Sequence, residues 1–277
     1  MSRFVSLIAC RDRAGLIHQA TGVLVKRQLN ITENQEFVDL RNGHFYMRTQ
    51  FEGDVDTATL EREMIAALPE QGVCQVRELK PRRLVVLASR ELHCLGDLLV
   101  RHFTGELHAE ILAVISQHQD SGEMAKRFGL PFHHIPFTGD RLEHEERIFA
   151  TVRPMAPDYL VLARYMRIFS PHFVRRFPSR IINIHHSFLP AFIGHNPYQQ
   201  AYERGVKIIG ATCHFVTDDL DEGPIITQDV ISVNHSHSPE AMASKGQDVE
   251  KVVLARGLNL VLEDRVLLEG NRTIVFD

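Results

Sequence analysis

Two kinds of hydrophobic pattern follow each other along the first 80 residues. Alternation of apolar and polar positions predicts strands, and apolar positions three or four residues apart predict helices. The segments come in the order strand, helix, strand, strand, helix, strand: Phe4–Cys10, Leu16–Gln28, Ile31–Leu40, His44–Phe51, Thr57–Leu68 and Val73–Leu79. This order predicts a ferredoxin-like βαββαβ domain over residues 1–80.

Local signals support three of these boundaries. Asp12-Arg13-Ala14-Gly15 predicts a turn before the first helix. Asn42-Gly43 separates the second and third strands and is a strong hairpin signal, because both residues tolerate positive φ. Asp56 is placed to accept a hydrogen bond from the first turn of the second helix.

The pattern changes after Lys80. Proline among charged residues predicts a linker at residues 81–83, and a second domain is expected over 84–277. Its strands are predicted as short, continuous apolar runs: Leu84–Ala88, Ile111–Ile115, Phe132–Ile135, Tyr159–Leu162 and Ile181–Ile184. Helical stretches lie between them: Cys94–Phe103, Ser121–Phe128, Glu143–Val152 and Pro171–Arg176. Strands buried on both faces that alternate with helices predict an α/β fold with a doubly wound, mostly parallel sheet.

The last 70 residues predict a further group of elements. Ile208–Val216 and Pro224–Val233 are expected as strands joined by an acidic loop. Ser238 and Pro239 are placed to begin a long helix, as cap and first-turn residue. Val266–Leu268 and Thr273–Phe276 predict a small hairpin that closes the chain.

Composition narrows the classes of partner. The 277 residues include 31 Lys and Arg against 35 Asp and Glu, a formal net charge of −4, which disfavours a nucleic-acid partner. No apolar run reaches the roughly 20 residues of a membrane span, and the first residues do not predict a signal peptide. We therefore expect no membrane partner and a cytoplasmic location. The four cysteines are far apart in sequence and are expected to be free, buried thiols.

The densest polar cluster, Asn183-Ile-His-His-Ser-Phe-Leu-Pro190, lies at the end of a predicted strand. Alternate residues of a strand share a face, so Asn183 and His185 are expected to point one way and His186 the other. Ligands of open α/β sheets bind at the carboxyl ends of strands, where an amide beside an imidazole could bind an oxyanion and move a proton. The same residues could equally satisfy loop backbone and pack as a polar tip, and the cluster alone leaves both interpretations open.

A second cluster, residues 214–224, holds four acidic residues within five positions. One carboxylate could fold back to orient a histidine of the first cluster, as a third group orients a catalytic base. Taken alone, however, Asp-Glu-Gly-Pro at 221–224 favours an ordinary solvated turn.

The 16 histidines raise the possibility of a metal site. The close pairs His133-His134, His185-His186 and His235-x-His237 lack the i, i+4 spacing of metalloprotease helices and the cysteines of structural zinc sites, so no metal is predicted. A phosphate-binding turn is also not predicted, since residues 89–96 contain a single glycine, Gly96.

The sequence resembles the folate-dependent formyltransferase and hydrolase family over nearly its whole length, most specifically at four stretches: Asn183–Pro190, Phe192–Gly194, Gln200–Lys207 and Asp219–Ile226. In the first domain, Asp12-Arg13-x-Gly15 is similar to the signature of ACT domains, with Ala14 where many members have proline. The combination most resembles the family's hydrolases with an N-terminal ACT domain. The resemblance thus implies an ACT domain followed by a formyltransferase-type domain.

The resemblance also implies which residues act. The family's catalytic trio corresponds to Asn183, His185 and Asp221. The folate pterin would lie against the 164–169 stretch and the 217–221 loop, which implies a binding set of Met166, Arg167, Ile168, Phe169, Thr217, Asp218 and Leu220. The residues of the first stretch would by composition alone form an ordinary strand-to-helix corner. No metal is implied, and the folate is the substrate rather than a cofactor.

The implied reaction is hydrolysis of 10-formyltetrahydrofolate to formate and tetrahydrofolate, in one-carbon and purine metabolism. The alternative is transfer of the same formyl group to an amine. A ribonucleotide acceptor would need a phosphate-binding first turn and a tRNA acceptor an added domain, so hydrolysis is preferred. A non-catalytic folate sensor is the third interpretation, but it has no need of an imidazole proton carrier. The resemblance further implies an amino-acid effector at the ACT domain and a homo-oligomer.

Overall fold

The computed structural model describes residues 2–191 and 197–277. Phe192–Gly194 of the family-like motif, and the neighbouring His195, lie outside the described residues. The chain forms two compact units. The first contains residues 1–80, 263–267 and 274–277, and the second contains residues 81–262 and 268–273.

The first unit is built on the predicted βαββαβ order. Its strands and helices are β1 (Ser2–Arg11), α1 (Leu16–Lys26), β2 (Asn30–Asp39), β3 (His44–Gly53), α2 (Thr57–Ala67) and β4 (Val73–Glu78). The strands form an antiparallel sheet in the order β2-β3-β1-β4, which confirms the ferredoxin-like prediction. Asp56 accepts a hydrogen bond from the Thr59 amide at 2.8 Å, so the predicted cap of α2 is also present.

Apolar residues that alternate along β1 and β3 meet the apolar stripes of α1 and α2 in one core. Phe4, Ile8, Phe51 and Leu60 are among its fully or almost fully buried side chains. This is the expected packing of one sheet face against two amphipathic helices, and it follows directly from the hydrophobic pattern.

The second unit alternates strands and helices. Up to residue 185 it contains β5 (Arg82–Ala88), α3 (His93–Thr104), β6 (Ala109–Ser116), α4 (Asp120–Arg127), β7 (Phe132–His134), α5 (Arg141–Val152), β8 (Tyr159–Ala163), α6 (Pro171–Val174) and β9 (Ile181–His185). A 3-10 turn, Arg153–Met155, follows α5. The remaining elements of the chain are α7 (Pro197–Arg204), β10 (Ile208–Phe215), β11 (Ile225–Ser232), α8 (Pro239–Leu262), β12 (Val266–Glu269) and β13 (Arg272–Val275).

The seven-stranded sheet runs in the order β11-β10-β9-β8-β5-β6-β7. Neighbouring strands from β9 to β7 are parallel, whereas β10 and β11 are antiparallel to their neighbours, which confirms the mostly parallel prediction. The strands β5 and β8 are almost entirely buried, as continuous apolar runs require. Helix α8 packs against β9, β10, β11 and α3.

Two local predictions differ from the structure. The predicted linker at residues 81–83 is shorter, because β5 begins at Arg82, which pairs with Ala109 of β6. Backbone pairing tolerates charged side chains at the solvated start of a strand. The charged residues therefore did not mark the true boundary between the linker and β5. Helix α7 was not predicted, since its apolar positions are too few for a clear period. Over the residues that the structure describes, we find no helix with the length and apolarity of a membrane span.

Candidate active site

Asn183 and His185 lie on β9, near the middle of the seven-stranded sheet and at the carboxyl end of the strand. They are two residues apart and therefore share a face, as the sequence predicts. His185 is buried and Asn183 is half-buried. Their position is the edge of the sheet at which ligands of open α/β folds bind.

Asp221 reaches the same place from the loop between β10 and β11. Its Oδ1 atom lies 3.4 Å from Nδ1 of His185, and its side chain is 13% exposed. The residue has a φ of 56°, a left-handed conformation that aspartate tolerates better than most residues. The structure therefore brings Asp221 to the site of Asn183 and His185, which lie 38 and 36 positions earlier in the sequence.

The loop can turn this tightly because of Gly223. A Cβ atom at residue 223 would lie 1.8 Å from the carbonyl oxygen of Phe215, so only glycine fits. The Phe215 amide in turn donates to the Pro224 carbonyl at 2.9 Å. The Asp-Glu-Gly-Pro turn that composition favours is real, and it positions the carboxylate at the same time.

His214 was not assigned a role from the sequence. It lies directly opposite Asn183 in the antiparallel β9–β10 pair and is almost fully buried. Its Nδ1 atom lies 2.9 Å from the Phe215 carbonyl, which can only accept, so Nδ1 carries the proton. Its Nε2 atom then accepts from Nδ2 of Asn183 at 3.1 Å. This bond fixes which side of the Asn183 amide is the donor and leaves the second N–H of Nδ2 for a ligand.

The electrostatics agree with this arrangement. Burial lowers the pKa of His214 and keeps the ring neutral. Burial alone would raise the pKa of Asp221, but the hydrogen bond and charge of His185 outweigh it and hold the pKa below its usual value. Asp221 is therefore an anion beside His185 at neutral pH. The Nε2 atom of His185 has no hydrogen-bond partner among the residues that the structure describes.

These side chains line a cavity of about 280 Å³. The cavity also includes every residue of the predicted folate-binding set: Met166, Arg167, Ile168, Phe169, Thr217, Asp218 and Leu220. Met166, Ile168 and Leu220 are each more than half exposed, and all three line this cavity. The cavity thus combines an apolar rim with a polar end.

His186 differs from the prediction. It was expected to point away from His185, but it lines the same cavity, and the two ring centroids are 5.0 Å apart. Strand β9 ends at His185, so the alternation of faces no longer applies to the next residue. Burial, together with the charges of Arg164 and His185, lowers the pKa of His186 to about 4.

A buried charge network beside the cavity was missed from the sequence. Glu250 of α8 accepts from Tyr198 at 2.7 Å, pairs with Nε2 of His93 at 2.7 Å and lies 3.3 Å from Nε of Arg164. Tyr198 approaches α8 closely because of Gly246, where a Cβ atom would lie 1.9 Å from the tyrosine hydroxyl. The available signal was an acidic residue within the apolar stripe of a helix, between Val249 and Val253.

His93, Cys94 and Glu250 form the one group with metal-ligand spacing that we find within residues 2–191 and 197–277. The donor set does not favour a cation. Both Glu250 oxygens already take part in hydrogen bonds, the Arg164 guanidinium is adjacent, and burial raises the pKa of the Cys94 thiol far above neutrality. A metal would have to displace a positive charge and ionise a buried thiol.

Comparison with known proteins gives consistent results. The family model described as formyl transferase matches residues 82–258. A formyltetrahydrofolate deformylase from Haemophilus influenzae is 49% identical over 272 residues, 98% of each chain. The crystal structure of a formyltetrahydrofolate deformylase from Pseudomonas syringae pv. tomato covers 100% of this chain and 95% of its own, with 42% identity and a TM-score of 0.95.

A formyltransferase structure is similar over a shorter part. Glycinamide ribonucleotide transformylase 1 from Symbiobacterium toebii is 32% identical, with a TM-score of 0.68, and the match covers 71% of this chain and 95% of that chain. The deformylase structure thus matches the whole chain, whereas the transformylase structure matches about seven tenths of it.

Proposed function

This chain belongs to the formyl transferase family and, within it, to the formyltetrahydrofolate deformylases, and from this premise we propose how Asn183, His185 and Asp221 catalyse its reaction. The protein hydrolyses 10-formyltetrahydrofolate to formate and tetrahydrofolate. The single observation that carries the proposal is the pairing of His185 with Asp221 at 3.4 Å, with the other ring nitrogen of His185 left for the substrate.

Water attacks the formyl carbon, and the carbonyl oxygen becomes an oxyanion in the tetrahedral intermediate. The second N–H of the Asn183 amide donates to this oxygen, while its first is held by His214. A fixed donor of this kind is typically worth about 3–4 kcal/mol of activation free energy. Asn183 is suited to the role because its amide is oriented before the substrate arrives.

His185 moves the proton. Its Nδ1–H faces Asp221, so Nε2 is the nitrogen that takes a proton from the attacking water and returns it to the departing amine of tetrahydrofolate. The C–N bond breaks, its electron pair and that proton go to the folate nitrogen, and formic acid is left, which loses its remaining proton to solvent and becomes formate. Asp221 keeps the proton of the neutral His185 ring on Nδ1 and stabilises the positive charge of the ring when Nε2 is protonated, as the third member of a triad does.

We place the folate along the rest of the cavity. The exposed apolar side chains of Met166, Ile168 and Leu220 offer a surface for the pterin ring, and the polar end holds the formyl group. The folate is the substrate, and the proposed steps use no further cofactor.

A formate-release assay tests the proposal. Purified protein and 10-formyltetrahydrofolate, with no amine present, should yield formate and tetrahydrofolate in equal amounts. A requirement for an added amine would instead favour formyl transfer, the less supported alternative. The shorter match to the transformylase supports hydrolysis here.

The N-terminal region, residues 1–80, is proposed as an ACT-like regulatory domain that binds an amino-acid effector, with residues 84–277 as the catalytic domain. The βαββαβ order supports this assignment. A homo-oligomer and a cytoplasmic location are also part of the proposal. A change in the rate of formate release on adding single amino acids to the full-length protein would support the effector, and no response to any of the twenty would count against it.

A further inference from the structure

Two cationic side chains, Arg164 and Arg167, line the described part of the active-site cavity. The guanidinium of Arg167 lies 3.5 Å from the centre of the Phe137 ring, and its Nε atom donates to Gln117 at 2.5 Å. Arg164 is different, because only 7% of it is exposed. It directly follows the carboxyl end of β8. It has a φ of 59°, so the backbone carries a left-handed strain at this position.

Two carboxylates hold one side of the Arg164 guanidinium. Its Nε donates to Glu91 at 2.7 Å, its Nη2 lies 2.6 Å from the same carboxylate, and Nε lies 3.3 Å from Glu250. Its Nη1 has no hydrogen-bond partner among the described residues. A buried, charged N–H group without a partner is costly, so its retention points to a ligand.

Glu250 is itself fixed by His93 and Tyr198, which leaves the guanidinium little freedom to rotate. Burial would lower the pKa of Arg164, but the charges of Glu250 and Glu91 outweigh it and raise the pKa above its ordinary value. The side chain is therefore a permanent, oriented cation. Glu250 is a positioning residue in this arrangement, since it acts through Arg164.

The chemistry of the reaction supplies a matching anion. Hydrolysis places the water oxygen on the formyl carbon, breaks the C–N bond and leaves formate, a small monocarboxylate. Transfer to an amine would leave a neutral formamide. A guanidinium stabilises the first product by a charge-assisted hydrogen bond and gains much less from the second.

We propose that Arg164 binds the carboxylate of the formate product through Nη1, and that this contact favours water over amines as the acceptor of the formyl group. The inference rests on the proposed function, because it takes formate as the product. Asn183 holds the oxyanion during attack, and Arg164 receives the second oxygen as the C–N bond breaks. The same positive charge disfavours a protonated amine in the cavity.

Formate binding can be measured without turnover. We would titrate the full-length protein with 13C-labelled sodium formate, follow line broadening by NMR, and keep ionic strength constant with sodium chloride. Arg164→Gln should raise the formate Kd at least about tenfold, and Arg164→Lys should also raise it, because the single ammonium group would pair with Glu91 and Glu250 and lysine has no counterpart of Nη1. Arg127→Gln, which removes an exposed cation on α4, should leave the Kd unchanged.

Arg164→Gln also leaves Glu91 and Glu250 without their cation, so folding must be controlled. The double variant Arg164→Gln/Glu250→Gln removes part of that penalty and should show the same loss of formate binding. Absence of saturable binding to the wild type, or wild-type affinity in either folded Gln variant, would overturn the inference.

A competition experiment tests whether Arg164 favours water over amines as the acceptor of the formyl group. In the presence of hydroxylamine, a neutral amine, a larger fraction of the formyl group should be transferred to hydroxylamine by Arg164→Gln than by the wild type. An unchanged fraction would contradict the proposal that Arg164 favours water as the acceptor. Formate release with a formate affinity that does not depend on Arg164 rejects this inference and leaves the proposed function standing. Arg164-dependent formate binding without formate release rejects the proposed function, and with it the role of Arg164 toward a product, and leaves only a carboxylate-binding site at Arg164.

Discussion

The amide of Asn183 and the imidazole of His214 form a hydrogen bond of 3.1 Å between neighbouring antiparallel strands. The bond runs from Nδ2 to a ring nitrogen that cannot itself donate, since the other ring nitrogen is committed to the Phe215 carbonyl. The Asn183 amide, the oxyanion donor of the proposed mechanism, is thus oriented by His214.

Replacing His214 should reduce catalysis through Asn183. In His214→Phe the amide loses its anchor, and we expect kcat to fall by about 10–100-fold with a smaller change in KM, less than the 10²–10³-fold cost of removing such a donor. His214→Gln, which retains an acceptor, should recover part of the rate. The exposed His235→Phe is the matched control. A normal kcat in a folded His214→Phe protein would show that Asn183 needs no such anchor.

Asp221→Asn should abolish most turnover while leaving the fold intact, because the His185 tautomer is no longer held and its positive form no longer balanced. We expect a loss of about 10²-fold or more in kcat, within the range of acid–base catalysis. Asn183→Ala should show a loss of similar size through the oxyanion. Steady-state formate release measures both.

Glu222→Gln changes the adjacent, exposed residue of the same loop and should behave like wild type. If Asp221→Asn and Glu222→Gln lose activity equally, the effect belongs to the loop conformation rather than to the carboxylate.

His186 should make the protein less stable in mild acid. Its pKa is about 4 in the folded state against 6.5 in the unfolded state, so the unfolded chain binds the proton between these values. Stability is full above pH 6.5 and is lost as the pH falls to about 4, by about 3 kcal/mol at 1.36 kcal/mol per pKa unit.

The measurement is the free energy of unfolding in urea at several pH values between 7 and 4. His186→Gln should flatten the curve, whereas His108→Gln, at an exposed site, should not. An unchanged slope in the His186 variant would mean that other groups control the acid range.

Arg48 should be a major stabilising residue of the first unit. It is fully buried, donates to the backbone carbonyls of Glu263 and Asp264 at 3.0 Å each, and pairs with Glu33 at 3.0 Å. Arg48→Met removes these hydrogen bonds and the charge paired with Glu33, and we expect the free energy of unfolding to fall by about 3 kcal/mol.

Urea unfolding followed by circular dichroism tests this expectation, with the exposed Arg62→Met as control, which should change stability by no more than about 0.5 kcal/mol. Equal stabilities would contradict it. The same contacts predict that removing residues 1–80 would destabilise the remaining chain, since residues 263–267 would lose their partners.

The sequence predicted more of the fold than of the candidate site. The strands of both sheets were predicted to within about two residues, because a strand's period is a local property that burial imposes on the sequence. Helix α7 and the start of β5 at Arg82 were missed, since sheet pairing and helix packing there override a weak or charged local pattern.

At the site, Asn183, His185 and Asp221 were identified from motifs, and the roles assigned to them remain predictions. His214 was passed over because its function comes from the partner strand: nothing in the sequence states that residue 214 lies opposite residue 183. Glu250 was missed for the same reason, and Arg164 was named only as part of the 164–169 stretch. The two residues are 86 positions apart along the chain and 3.3 Å apart in the fold.

The sequence alone determined the strand and helix order, the two sheet classes and the set of polar residues at the end of one strand, because these depend on periodicity and composition within a short window. Only the tertiary structure decided the tautomer of His214, the approach of Asp221 to His185, and the burial of Arg164 between two carboxylates. Those properties depend on the distances between residues remote in sequence and on the exclusion of water around them, and neither exists until the sheet has formed.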